Sequence, residues 1–209
     1  IQYIMTSFNN YYPFQLNKLH IVNFDITSLN NNTNENHFIK NFSPCMEMSW
    51  LIKVKNFLLL IDALIKSADK STLSNVQKFA NQACAFAFAW SFGSIFEGAE
   101  RVKLHKYMKD GLKFGNYIPE VKEDTTIFEY GLTNEWTPWE TEKTQILPSD
   151  LANFSTLLIP TMDSTRAIYL IDKMNSSRAG DGNGEEKPQI PVLILGDSGT
   201  SKTSTVLLY

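Results

Sequence analysis

The chain has 209 residues, of which 43% are hydrophobic, 12% aromatic and 20% charged, a composition that can fill a packed core and excludes global disorder. Nineteen Lys and Arg against 22 Asp and Glu leave a formal charge of -3 and a pI near 5.6, which argues against a protein that grips a polyanion by neutralising phosphates. Nucleic acid is therefore not an expected partner. Two cysteines, Cys45 and Cys84, lie far apart without metal-ligand spacing, which points to a reducing, intracellular compartment. The most apolar run, Ala83 to Phe92, is shorter than the ~20 residues a bilayer requires, so no membrane partner is expected either. The opening Ile1-Gln2-Tyr3-Ile4-Met5 has neither an initiating Met nor the basic region of a signal peptide, and reads as a cut end.

Residues 1–44 are aromatic and Asn-rich, and Asn30-Asn31-Asn32-Thr33-Asn34-Glu35-Asn36 predicts a loop, because short amide side chains compete with the backbone for hydrogen bonds. From Met46 to about Ala68, Trp50, Leu51, Val54, Phe57, Leu58, Ile61 and Leu64 recur at spacings of three and four, the pattern of an amphipathic helix. Leu73 to Phe96 is Ala-rich and predicts a second helix, although Phe86, Phe88, Trp90 and Phe92 alternate as a strand would. A third helix is expected from Glu97 to about Leu112, closed by Gly111 and Gly115. Residues 45–115 thus predict a helical subdomain.

The character changes over 116–209. Thr125 to Tyr130 predicts a short strand, and Trp136-Thr137-Pro138-Trp139 a turn with two aromatic anchors. Asp163 or Ser164 is placed to cap a helix through about Met174, and Asn175 to Glu186 has the composition of a flexible loop. Pro191-Val192-Leu193-Ile194-Leu195 then predicts a buried strand of the parallel type.

Directly after that strand stand Gly196, Asp197, Ser198, Gly199, Thr200, Ser201, Lys202, Thr203 and Ser204, in the strand–loop–helix context of a P-loop. Glycines let successive backbone N–H groups turn towards phosphate oxygens. Lys202 would meet the β- and γ-phosphates as a point charge, Thr203 would offer its hydroxyl to Mg²⁺, and the positive end of the following helix would face the anion. Ser201 departs from the strict pattern, standing where G-x-x-x-x-G-K-[ST] has its second glycine.

Other constellations carry less. Two runs imitate the acidic strand that a P-loop ATPase needs, Phe57 to Asp62 and Ile168 to Asp172, but each lies inside a helical pattern and reads as a core face. His20, His37 and His105 are scattered without a second ligand at i+4 and read as ordinary histidines. Glu97, Glu100, Arg101, Lys103 and Lys106 read as a solvated face, and Trp136 and Trp139 as packing anchors.

The series Trp90-Ser91-Phe92-Gly93, Arg101-Val102-Lys103, Ile127 to Tyr130, Trp136 to Trp139, Ile159 to Arg166 and Pro191 to Thr203 resembles dynein heavy chains of the axonemal type. The likeness runs over residues 46–209 and is greatest to the junction between the second and third AAA+ modules of the motor ring. It implies α/β architecture with a mainly helical N-terminal half: a helical AAA+ lid subdomain followed by the truncated start of a P-loop domain. In that likeness Ile159, Pro160 and Thr161 hold the adenine of ATP or ADP, and Gly196 to Ser204 hold the phosphates and Mg²⁺. Ser201 becomes a family variant.

The resemblance further implies a piece of an ATP-driven, minus-end-directed motor whose partners are the other AAA+ modules of the same chain, intermediate and light chains, and microtubules. The implied setting is the cytoplasmic cytoskeleton and the axoneme of a cilium or flagellum. No catalytic residue is expected within this stretch, because the acidic strand would lie after Tyr209. A non-enzymatic helical interaction protein with a fortuitous Gly/Ser turn, or another P-loop NTPase, are the competing readings.

Overall fold

In the computed structural model, residues 42–69, 73, 75–112, 114–122, 125–141, 157–176, 191–194, 196 and 198–209 are described. The Asn-rich stretch, His20, His37, Leu195, Asp197 and the loop from residue 177 on lie outside them.

The first amphipathic pattern is helix α1, Trp50–Ser67, which buries Val54, Phe57, Leu60, Ile61, Ala63 and Leu64. Leu51, apolar and in register by spacing, is 64% exposed, while Leu60 and Ala63 take the core positions. Asp62 is no metal-binding strand end; it pairs with Lys66 one helical turn on, at 2.8 Å.

Helix α2, Val76–Phe92, settles the ambiguous alternating run as helix. Asn75 caps it, its Oδ1 accepting from the Lys78 N–H at 2.9 Å. Phe86, Phe88 and Phe92 are buried together with every alanine of the helix, because α2 runs through the middle of the core and is covered on all sides. An apolar period is uninformative for such a helix. Its rings pack on Trp50, Phe57, Phe114 and Phe128 of the surrounding elements, with Trp50 and Phe92 at 5.0 Å and Trp90 and Phe128 at 5.2 Å. Buried among them, the Cys84 thiol is pushed up to about 12 by desolvation.

Helix α3, Gly98–Lys106, is shorter than its charge pattern suggests and widens into a π turn, Tyr107–Gly111, in which Leu112 N–H reaches the Tyr107 carbonyl at 3.0 Å. The charged face of α3 is not wholly solvated, which corrects the sequence reading. Arg101 donates from Nε to the Phe96 carbonyl at 2.7 Å and lies over the Phe128 ring at 4.7 Å.

The strand expected at 125–130 begins later. Ile127–Glu129 is a 3-10 turn started by Thr126, whose hydroxyl accepts from the Phe128 N–H, and strand β1 is Tyr130–Leu132. It pairs antiparallel with β2, Trp136–Pro138, in the register Tyr130 to Pro138 and Leu132 to Trp136. The expected Trp136 turn is therefore a strand, but both tryptophans do anchor. Trp136 Nε1 donates to the Tyr117 carbonyl and Trp139 Nε1 to the Phe128 carbonyl, each at 2.9 Å, which satisfies the indole N–H groups of two half-buried rings.

Helix α4, Met162–Ser176, packs on α1, and α5, Lys202–Leu208, packs on α4. The helix outlasts its expected end at Met174, so Asn175 and Ser176 belong to it and not to the loop. Its cap is Thr161, not Asp163 or Ser164. Thr161 Oγ1 accepts from the Ser164 N–H at 3.2 Å and Ser164 Oγ accepts from the Thr161 N–H at 2.8 Å, a reciprocal pair of the capping-box kind.

Residues 191–194 overturn one expectation. They form no strand among the described residues, and Leu193 is 79% exposed. A parallel-type strand is buried only where neighbours cover both its faces. The two-stranded β1–β2 hairpin is the only sheet among the described residues, so the molecule seen here is predominantly helical. No helix among them is long and apolar enough to cross a membrane.

Candidate nucleotide-binding cleft

A cleft of about 900 Å³ opens between α4 and the Gly-rich loop before α5, within the ~300–1,000 Å³ range of small-molecule sites. One wall is Thr161 and the face of α4 that carries Ser164, Ala167, Ile171 and Met174; the other holds Val192 to Ile194, Gly196, Thr200, Ser201 and Lys202. Glu97, at the start of α3, reaches its edge.

The loop is shaped by backbone conformations that glycine makes accessible. Gly199 has φ +81°, and a Cβ on Gly196 would come within 2.7 Å of Thr200 Oγ1. Ser201 takes φ 56° and ψ 21°, the left-handed conformation that glycine would adopt at no steric cost. The position where the strict P-loop pattern has glycine is thus one where the backbone asks for it. Directly beyond, Lys202 opens α5, and its Nζ folds over the loop to donate to the Gly196 carbonyl at 2.8 Å and to Thr200 Oγ1 at 3.1 Å. Thr205 Oγ1 donates back to the Ser201 carbonyl at 3.0 Å and pins the first turn.

The structure therefore brings Thr161, Gly196, Thr200, Ser201 and Lys202 to one cleft. Ile159, Pro160, Ser198, Gly199, Thr203 and Ser204 flank it without lining it, and Thr203 faces solvent. Asp197 lies outside the described residues. On the loop side the cleft offers donors, an ammonium, backbone N–H groups of a left-handed turn and hydroxyls, while Asp163 and Glu97 bring carboxylates to its other edge. Several lining residues escaped the sequence reading, among them Leu170 and Thr205. Ala167, Ile171 and Met174 were legible as the i+3 and i+4 continuation of the Ser164 face, whereas nothing in the sequence could place Glu97 there. Among the described residues no group of three His, Cys, Asp or Glu is arranged to hold a metal ion.

On the side of α4 that faces the hairpin, Arg166 is buried and pairs with Glu129 and, at 3.1 Å, with Asp163. Burial, and then the neighbouring Arg166 charge, pull Arg101 below the usual guanidinium value. Tyr169 donates its hydroxyl to the Leu132 carbonyl, and burial raises its phenol above the ordinary range. His105, also buried, accepts at Nδ1 from the Ile127 N–H at 3.2 Å, a packed histidine as its isolation in the sequence suggested.

The helical unit built from α1 to α3 and the hairpin corresponds to a recognised class. Residues 31–141, just over half the chain, match the family model described as the dynein heavy chain AAA lid domain. Human (Homo sapiens) dynein axonemal heavy chain 8 is 26% identical over 175 residues, which cover 81% of this chain and 4% of that protein. The mouse (Mus musculus) protein of the same name is 26% identical over 174 residues, 80% of this chain and 3% of its own length. Human dynein axonemal heavy chain 10 is 31% identical over a shorter stretch of 72 residues, 34% of this chain and 1% of that protein.

The chain belongs to the dynein heavy chain family, and its resemblance to the axonemal type is upheld. It spans no more than 4% of the length of these relatives. The lid match ends at residue 141, before α4 and the Gly-rich loop.

Proposed function

We propose that this chain serves an ATP-driven, minus-end-directed microtubule motor of the axoneme, and that it supplies the nucleotide cradle at the start of a regulatory AAA+ module next to the lid of the preceding one. The observation that carries the reading is the left-handed turn through Gly199 and Ser201 that delivers Lys202 onto the loop at the edge of a nucleotide-sized cleft. Lys202 Nζ, now on Gly196 O and Thr200 Oγ1, would exchange these acceptors for β- and γ-phosphate oxygens. Thr203 would turn its exposed hydroxyl to Mg²⁺, and the Ile159–Pro160–Thr161 segment would border the adenine. The bound metal would supply charge neutralisation between the phosphates. Lid, loop and the remaining modules of the parent chain would then act on microtubules together with intermediate and light chains, in the cytoskeleton of a cilium or flagellum.

The test is equilibrium binding of Mg-ATP and Mg-ADP to the 209-residue chain. Loss of one charge-assisted contact is worth ~1.5–3 kcal/mol, so Lys202→Ala should weaken binding by roughly ten- to a hundredfold. Hydrolysis needs an acidic strand and a group that positions water, so binding without turnover is expected. Equal affinity in wild type and Lys202→Ala would refute the cradle.

A further inference from the structure

Helix α4 has two occupied faces. Arg166, Tyr169 and Lys173, spaced three and four apart, all reach back to the lid: Arg166 Nη2 to Glu129, Tyr169 to the Leu132 carbonyl, and Lys173 Nζ to Ser67 Oγ at 3.1 Å. Other residues of α4, Ser164, Ala167, Leu170, Ile171 and Met174, line the cleft that also holds Lys202. Apart from Glu97, which reaches the cleft edge itself, α4 is thus the layer between lid and cleft.

Arg166 is the fork in this arrangement. Its Nη2 holds Glu129 of the lid and its Nη1 holds Asp163, whose side chain stands 90% exposed at the cleft. As a source of stability it is poorly built: its Nε is buried without a hydrogen-bond partner, and an ion pair to so exposed a carboxylate is worth little. What the fork does well is fix geometry, since a planar guanidinium engages two carboxylates in set directions. Arg101, held against Phe128 and the Phe96 carbonyl, shares the field of the same two acids and repels Arg166.

We infer that Arg166 is a positioning residue of the nucleotide cleft, setting where the α4 wall stands relative to the Gly-rich loop by tying that wall to Glu129 of the lid. The inference rests on the nucleotide reading of that loop. It makes nucleotide affinity depend on a lid contact that never touches the ligand, and by linkage it makes the lid respond to nucleotide.

The experiment uses the whole 209-residue chain, with mant-ATP and Mg²⁺ as the probe, in wild type, Arg166→Gln, Arg166→Lys, Glu129→Gln and Lys202→Ala. Arg166→Gln and Glu129→Gln should each weaken binding about fivefold. Their double variant should be no weaker than either alone, because both break one link. Arg166→Lys, which keeps the charge without the fork, should fall between. Nucleotide should slow hydrogen exchange at residues 127–132 in wild type and not in Glu129→Gln. Glu129 is half exposed and glutamine keeps a hydrogen-bond acceptor there, so a thermal melt should show that variant less perturbed than Arg166→Gln.

Binding within twofold of wild type in Glu129→Gln, or full additivity of the two glutamine changes, overturns the positioning role while Lys202→Ala still loses affinity. A purely structural Arg166 would lower the melting temperature and leave affinity and exchange at 127–132 unmoved. If wild type binds no nucleotide, or binds it as well without Lys202, the cradle itself has failed and the inference with it.

Discussion

Gly93 ends α2 with φ -96° and ψ -5°, a conformation open to any residue, so what excludes a side chain there is space and not the backbone. A Cβ would stand 2.3 Å from Leu104 Cδ2, 2.6 Å from the Ala89 carbonyl oxygen and 2.8 Å from Phe128 Cζ. Leu104 and Phe128 are fully buried, and the Ala89 carbonyl already holds the Gly93 N–H at 2.8 Å. Neither can retreat without moving α3 or the 3-10 turn.

Inserting one methyl into a filled core costs ~1–3 kcal/mol, and three simultaneous contacts, one of them with backbone, put Gly93→Ala at the upper end, about 3 kcal/mol. All four tryptophans, Trp50, Trp90, Trp136 and Trp139, lie in the lid, so urea denaturation followed by their fluorescence reads this loss directly. With an m-value of ~2 kcal/mol/M the midpoint should fall by about 1.5 M. Leu104→Ala alone should cost ~2–5 kcal/mol, yet combined with Gly93→Ala the sum should fall short by about 1 kcal/mol, since the shortest clash is gone. A Gly93→Ala chain within about 0.5 kcal/mol of wild type, or strict additivity with Leu104→Ala, would refute the packing argument.

The remaining predictions concern the loop and a buried ring. Ser201→Gly releases a left-handed residue worth ~1–2 kcal/mol of strain against an unfolded-state cost of ~0.4–1 kcal/mol, so it should stabilise by roughly 0.5–1 kcal/mol, whereas Ser201→Ala keeps the strain. Slower hydrogen exchange across α5 in Ser201→Gly than in Ser201→Ala checks it; the reverse order contradicts it. His105 is held neutral because burial, and then Lys109, lower its pKa below the ordinary 6.5. The unfolded chain therefore binds the extra proton first on acidification. The stability this confers is complete above about pH 6.5 and is lost as pH falls from there to the lower folded value. His105→Gln, which can still accept from Ile127, should flatten that slope in denaturation measured at a series of pH values.

Much of the lid could be read from the order of residues, because local pattern and final burial coincide there. The i, i+3, i+4 spacing from Val54 to Leu64 marked the buried face of α1, the Ala-rich composition outweighed the alternating aromatics of α2, and Gly111 marked the end of the third helical stretch. The turn at 196–203 was legible for a related reason: glycines admit backbone conformations that other residues resist, as the positive φ of Gly199 shows, although Ser201 adopts one too. Its burial was not, since Leu193 is apolar by sequence yet exposed, and strand burial depends on neighbours from elsewhere.

By itself, then, the sequence determined which segments are helical, where a Gly-rich loop leads into a helix, and the resemblance to a motor heavy chain. Only the tertiary structure decided that Leu60 and Ala63, and not Leu51, enter the core, that Arg101 leaves the solvated face of α3 for the Phe128 ring, and that one guanidinium joins Glu129 to Asp163. The reason is range: helix period, capping and glycine conformations are set within a few residues, whereas Glu129 and Arg166 are 37 residues apart and meet only when the hairpin and α4 pack together.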